Sequence, residues 1–431
     1  MRKSTLIIFI LIIIAIIAGG VYYWLFFKDT ITTNNDSVNT TSNPVGFIPL
    51  NNNTPTTKDN TPTNTIPSTT TVQVNYSNPE LLMPKLRKIS SDPVAGMFAS
   101  TTKVKTSPTS TTTIEVTLLR YVDRGTGHVY QANNITTDIE KISNTTLPKI
   151  YEAYWNKNLT FNILRYLKDN TENITNFYAE IRKVPSSIAS STTPYEIKGK
   201  FLSNFNNISI SPSGDRIFTW TVEGGKGIGH ISTFDEKTRT KIAETPLTQI
   251  NTDWPETSTV TITTKGNSII NGYTYTINTK TADMRKVIGP IRGLSSKMSS
   301  DGKYLIYSEG GNTIDTRILN TSNGTSTEVI FKTLADKCVW SKLRRNEVYC
   351  SVPTEIPEGS YPEDWYKGSI SFTDQIWVLN VLNGEVHLLA NPINLTKSLI
   401  DATDLTLDPK ENYLYFINKR DLSLWSVDLN K

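Results

Sequence analysis

Between Gly293 and Thr333 apolar and polar residues alternate in four short bursts, each bounded by a polar turn. Leu294–Ser299 leads into a turn at Ser300-Asp301-Gly302. Tyr304–Ser308 then returns with the aromatic and β-branched residues that suit a pleated, half-buried surface. Thr316–Asn320 and Thr327–Phe331 flank Asn323-Gly324, a pair that accepts the positive φ of a tight hairpin. A period of two in four successive runs predicts four antiparallel strands in about forty residues, the size of a β-propeller blade.

The pattern recurs. A burst ending in Asn or Asp before a polar turn appears as HVYQAN at Asn133, HISTFD at Asp235, YTYTIN at Asn278, TRILN at Asn320, IWVLN at Asn380 and LWSVD at Asp428. Asn and Asp bond neighbouring backbone N–H groups through their side chains, which suits the residue that starts a turn. The first hairpin of the unit recurs as ISISPSGDRIFTW (208–220), KMSSDGKYLIYS (297–308), CVWSKLRRNEVYC (338–350) and LTLDPKENYLYFI (405–417), with AYWNKNLTFNILRYL (153–167) a looser copy. The units run over 91–145, 148–202, 206–245, 248–290, 293–333, 334–391 and 400–430, which makes seven blades. The last stops at Lys431, short of a fourth strand, whereas PKLRKIS (84–90) resembles fourth strands such as RTKIAE (239–244). The expectation is an all-β, seven-bladed β-propeller over 81–431, closed by an N-terminal strand so that no sheet edge is left between the chain ends.

The phrases SPSGD and SSDGK before an aromatic-aliphatic strand resemble TolB-type (WD40-like) propeller repeats. With PVAGM (93–97), RGTGHVY (124–130), KCVWS (337–341) and YPEDWYKG (361–368), the chain is similar to a family of membrane-anchored propellers from candidate-phyla bacteria. The resemblance covers about residues 84–431 and implies fold and topology. TolB's extra N-terminal domain has no counterpart in the sequence, so its partners are not implied.

Ahead of the repeats, residues 5–27 form an uncharged apolar run within an expected anchor at 1–28. As a helix it reaches about 34 Å, enough for a hydrocarbon core of roughly 30 Å. Arg2 and Lys3 favour a cytoplasmic N-terminus and an extracytoplasmic propeller. A cleaved signal peptide is the competing reading, against which the apolar run is long and no small-x-small cleavage site follows. Residues 29–80 are mostly Thr, Asn, Ser and Pro and are expected to form a disordered tether spanning on the order of 40 Å. The net charge of +4, from 44 basic and 40 acidic residues without a polybasic block, argues against a nucleic-acid partner.

Candidate chemistry is sparse. Cys338 and Cys350 fall opposite each other on neighbouring strands, within disulfide range, and a disulfide is expected in preference to two buried thiols. His128 and His230 occupy one repeat position in different blades, which points to packing; with His387 they give no metal constellation, and no cofactor is expected. No HExxH, GxSxG or Walker loop is present. Glu152, Asn207, Asn251, Ser295, Lys337 and Asp404 are expected to line the central channel on or beside innermost strands, as are Asp253 and Asp336. Two carboxylates among them would suffice for a glycosidase. The sixth unit departs from the repeat by an insertion, 352–372, between its second and third strands. Tyr361, Glu363, Asp364, Trp365 and Tyr366 in that insertion are the expected contact surface for a peptide or glycan, unless the aromatics fold back over the blade. These readings lead to a membrane-tethered module that binds an envelope protein or surface polymer, with a cell-surface carbohydrate-active enzyme as the alternative.

Overall fold

The computed structural model describes residues 83–105, 110–168, 174–184 and 195–431. The anchor expected at 1–28 and the tether expected at 29–80 lie outside those residues. Among the described residues no helix is long and apolar enough to cross a membrane.

Seven four-stranded antiparallel sheets follow one another along the chain. Their innermost strands are Val94–Lys105, Glu152–Trp155, Asn207–Ile210, Ile250–Glu256, Ser295–Met298, Cys338–Trp340 and Ala402–Leu407, which number blades 1 to 7. In blades 1 to 6 the strands lie in chain order from inside to outside. The turn residues act as their chemistry requires. Asn278 Oδ1 accepts the N–H groups of Lys280 and Thr281 at 2.9 and 3.0 Å, and Asn133, Asp235, Asn320, Asn380 and Asp428 cap their turns likewise. In the first hairpins Ser211, Ser299 and Asp408 do the same for Arg216, Tyr304 and Tyr413.

Second strands carry continuous apolar runs because both faces of each sheet pack against a neighbouring blade. In Arg216–Glu223, for example, Ile217 to Thr221 are all buried. Seven separate apolar cores result, one at each interface between successive blades. The interface between blades 7 and 1 has its core too, built from Ile89, Val94, Leu119, Tyr415 and Ile417, so the ring is closed.

Closure comes from the segment before the first blade. Leu86–Ser90 forms the outermost strand of blade 7, with Leu86 opposite Val427, Arg87 opposite Ser426 and Lys88 opposite Trp425. Leu86 enters the core between blades 6 and 7 and Ile89 the core between blades 7 and 1, so this one strand seals two interfaces. We call the rim where innermost strands begin the upper face. Val427 ends a third strand, which places Met83 and Lys431 together on the lower face, where the Lys431 ammonium bonds the Met83 carbonyl.

Cys338 and Cys350 are directly opposite on the first two strands of blade 6 and are joined by a disulfide, with Cα atoms 4.1 Å apart. Both are buried in the core between blades 5 and 6.

Candidate functional site

The insertion of blade 6 leaves the sheet after the Pro353–Asp374 pair and crosses the upper face as a strap. It is fitted to neighbouring blades by glycines. A Cβ at Gly310 of blade 5 would meet the Tyr361 carbonyl oxygen at 2.2 Å, and one at Gly266 of blade 4 would meet Pro362 Cγ at 2.7 Å. The Tyr361 N–H donates to the Gly311 carbonyl at 2.8 Å. Glu363, opening the short helix Glu363–Lys367, accepts the Ser268 N–H at 2.8 Å and its hydroxyl at 2.5 Å. The strap thus spans from blade 6 to blade 4.

Its underside is apolar, with one charged fastening. Tyr361, Trp365 and Phe372 are buried with Ile314 and Leu334, and the Trp365 and Phe372 rings stack with centroids 6.3 Å apart. The Trp365 indole N–H lies 3.0 and 3.1 Å from the two carboxylate oxygens of Asp401, and the Phe372 N–H donates to the same carboxylate at 2.9 Å. Asp401, on the approach to blade 7, therefore holds both the helix and the returning end of the strap. Lys337 Nζ lies 5.0 Å from the Trp365 ring centroid and Lys419 Nζ 5.1 Å from it, so two ammonium groups contact this indole.

These contacts correct part of the sequence reading. Tyr361 and Trp365 do not form an exposed contact surface; both are buried, the Tyr361 N–H held by Gly311 of blade 5 and the Trp365 indole N–H by Asp401 at blade 7. The Tyr361 hydroxyl donates to the Pro357 carbonyl at 2.5 Å, and Asp364 accepts the Ser360 N–H at 2.8 Å within the strap. Lys337 does not line the channel. It is fully buried, 2.5 Å from Asp401 Oδ1 and 2.8 Å from Asp374 Oδ2, because those two acids draw its ammonium inward. Ser295 is also buried, its hydroxyl 2.7 Å from that of Ser308. Asn207 and Asn251 stand half-buried near the start of their innermost strands.

The remaining candidates converge. Tyr366 is the one strap aromatic that stays exposed, and its hydroxyl donates to Asp336 Oδ2 at 2.6 Å. Glu152 is ion-paired with Arg165 at 2.5 Å and accepts the Tyr154 hydroxyl at 3.2 Å. Arg165 is fixed from behind by Asn176 Oδ1 at 3.1 Å and the Asn206 carbonyl at 2.8 Å. Asp404 of blade 7 feels the charges of Glu152 on blade 2, Lys297 on blade 5 and Asp336 beside blade 6. Glu152, Lys297 and Asp404 lie on innermost strands and Asp336 lies just before one, and these strands line the channel.

Asp404 reaches channel water, yet protein surrounds it. Its carboxyl is pushed up first by that enclosure, with Glu152 and Asp336 adding to the effect and Lys297 opposing it. Its backbone has φ of 54°, within a bulge between Thr403 and Thr406 of the innermost strand. A left-handed non-glycine residue in a bulge is a costly way to aim a side chain, and such costs concentrate at functional sites. Enclosure likewise raises the Tyr154 and Tyr366 phenols, beside Glu152 and Asp336 respectively. Toward the lower face, enclosure lowers the Lys342 ammonium, which feels Asp253, Lys157 and Glu411.

Sequence reasoning missed Tyr154 and Lys297. Tyr154 had a signal, since it lies two residues beyond Glu152 and so shares its face of the strand. Asp374 and Asp401 had none, because nothing local marks a carboxylate as the partner of a distant lysine. Among the described residues no group of His, Cys, Asp and Glu is arranged to hold a metal ion.

No family model matches the chain, and no curated protein matches it. Solved structures do. An oligogalacturonate lyase from Vibrio parahaemolyticus is 10% identical with a TM-score of 0.47, over 78% of this chain and 98% of its own. An oligogalacturonate lyase in complex with manganese is 12% identical with a TM-score of 0.46, over 80% of this chain and 98% of its own. TolB from Acinetobacter baumannii is 8% identical with a TM-score of 0.40, over 67% of this chain and 78% of its own. These likenesses concern the fold.

Proposed function

We propose that this chain is a membrane-tethered, extracytoplasmic propeller that binds an envelope protein or surface polymer at the upper mouth of its channel. The observation that carries the reading is the strap. It is clamped across three blades and leaves one aromatic, Tyr366, exposed at a mouth that also presents Asp336, Glu152, Tyr154 and Asp404. A rigid rim combining a phenol with partly desolvated carboxylates suits recognition of a polar or cationic group. The disulfide supports an oxidising compartment. Membership among membrane-anchored propellers of candidate-phyla bacteria is part of the same proposal.

The test is capture from envelope extract by the full chain, compared with Tyr366→Ala and Asp404→Asn. A central aromatic contact is worth about 2 kcal/mol or more, so Tyr366→Ala should weaken capture roughly thirtyfold while leaving the fold intact. Equal capture by all three proteins would refute the assignment of the mouth.

One observation favours a second reading, a carbohydrate-active enzyme. Asp404 holds its proton more tightly than an ordinary aspartate and feels the charge of Glu152, which is ion-paired with Arg165. Carboxyls in such contrasting environments are what acid and nucleophile require. Release of reducing ends from cell-surface polysaccharide, abolished by Asp404→Asn, would establish that reading over simple binding.

A further inference from the structure

Beneath the strap, Asp374 and Asp401 share one ammonium. Lys337, Asp374 and Asp401 are all fully buried, and Lys337 Nζ is 2.8 Å from Asp374 Oδ2 and 2.5 Å from Asp401 Oδ1. Two carboxylates and one lysine leave one negative charge that is not ion-paired in a fully buried site. The oxygens are not equally satisfied. Asp401 accepts from Lys337, the Trp365 indole and the Phe372 N–H. Asp374 Oδ2 accepts from Lys337 and from the Ala402 N–H at 2.6 Å, whereas Asp374 Oδ1 is buried without any partner.

None of the other charges facing this site pairs with Asp374. Lys419, on the loop before the last strand, contacts Trp365 and feels Asp401 but forms no ion pair with either acid, and its own ammonium is lowered first by burial. The Arg420 guanidinium is engaged with the carbonyls of Ser371 and Phe372. On the strap, Glu363 and Asp364 are bonded to Ser268 and Ser360, and Asp336 turns to Tyr366 on the channel side. No histidine is among these groups.

We propose that docking of the strap over the channel mouth is proton-linked through Asp374: a proton on this carboxyl neutralises the buried excess charge and holds the strap down, and its loss loosens the strap. This gives the mouth a pH-sensitive cover, and it stands whether or not the mouth binds the partner proposed above.

Burial pushes the Asp374 carboxyl up to about 6, with Asp401 adding to the rise and Lys337 opposing it. When the strap lifts, water reaches the site and the carboxyl returns toward the ordinary value of about 3.9. A group raised in the closed form stabilises that form fully below about pH 3.9, and the contribution is lost as pH rises through about 6. Between pH 5 and pH 7.5 the opening equilibrium of the strap should therefore rise about tenfold.

Hydrogen exchange on the full chain, corrected for intrinsic rates, reads this directly over residues 361–372. Wild-type protection there should fall about tenfold from pH 5 to pH 7.5, while the blade 3 strand Arg216–Glu223 stays constant. Asp374→Asn should abolish the change and keep acid-like protection at pH 7.5. Asp404→Asn, in the channel, should retain the change. Wild-type protection independent of pH would overturn the proposal, as would an unchanged step in Asp374→Asn. Should that variant fail to fold, the wild-type comparison of strap against blade 3 decides alone.

Discussion

Replacing Leu86 and Ile89 together by alanine tests whether the ring is held shut by its own N-terminal strand. Leu86 is 3% exposed in the core between blades 6 and 7, and Ile89 is 5% exposed in the core between blades 7 and 1. Deleting a buried Leu or Ile side chain to alanine costs about 2–5 kcal/mol, the spread reflecting how far the site collapses. The two side chains serve separate cores, so their losses should add to about 4–10 kcal/mol. That is a large part of the roughly 5–15 kcal/mol that holds a typical domain folded. Lys88→Ala on the same strand is the control. Its ion pair to Asp421, 3.4 Å long, is partly exposed on both sides and should contribute less than about 1 kcal/mol. The assay is denaturant unfolding together with hydrogen exchange in Leu424–Asp428, the strand that Leu86–Ser90 covers. The double variant should unfold at much lower denaturant and lose protection in Leu424–Asp428 before other blades. A wild-type midpoint, or loss of protection no greater in blade 7 than in blade 3, would refute the reasoning.

The remaining expectations concern blade 6 and its strap. Cys338→Ala with Cys350→Ala should lower stability by about 3 kcal/mol, read as a shift in denaturant midpoint that reductant reproduces in the wild type. Gly310→Ala places a methyl group 2.2 Å from the Tyr361 carbonyl, so it should reduce exchange protection over 361–372 while leaving Leu86–Ser90 protected. Acidification from pH 7.5 to pH 5 should oppose that loss, because protonating Asp374 tightens the same strap.

The ring was legible because its determinants are local and repeated. Each Asn or Asp before a turn caps backbone N–H groups within three residues, so its role shows in the sequence wherever it recurs. Strand closure was legible from a missing fourth strand at one end and a spare one at the other. The site was legible only in part. Glu152 and Asp404 were placed on the channel by their positions on innermost strands, and the structure brings them within electrostatic reach of each other. Lys337 occupied an equivalent place in the repeat, yet Asp374 and Asp401, 37 and 64 residues further on, draw it out of the channel. Trp365 looked like a surface aromatic because its hydrogen-bond acceptor, Asp401, belongs to the next blade. Long-range pairs of this kind leave no periodic trace.

Site-specific photo-cross-linking in intact envelopes tests the central claim most directly. A photoreactive phenylalanine would be placed at Tyr366, on the channel mouth, or at Leu343, which is 61% exposed on the lower face. The account predicts a discrete cross-linked product from position 366 that Asp404→Asn diminishes, and none from position 343. A product from 343 with none from 366 would contradict it.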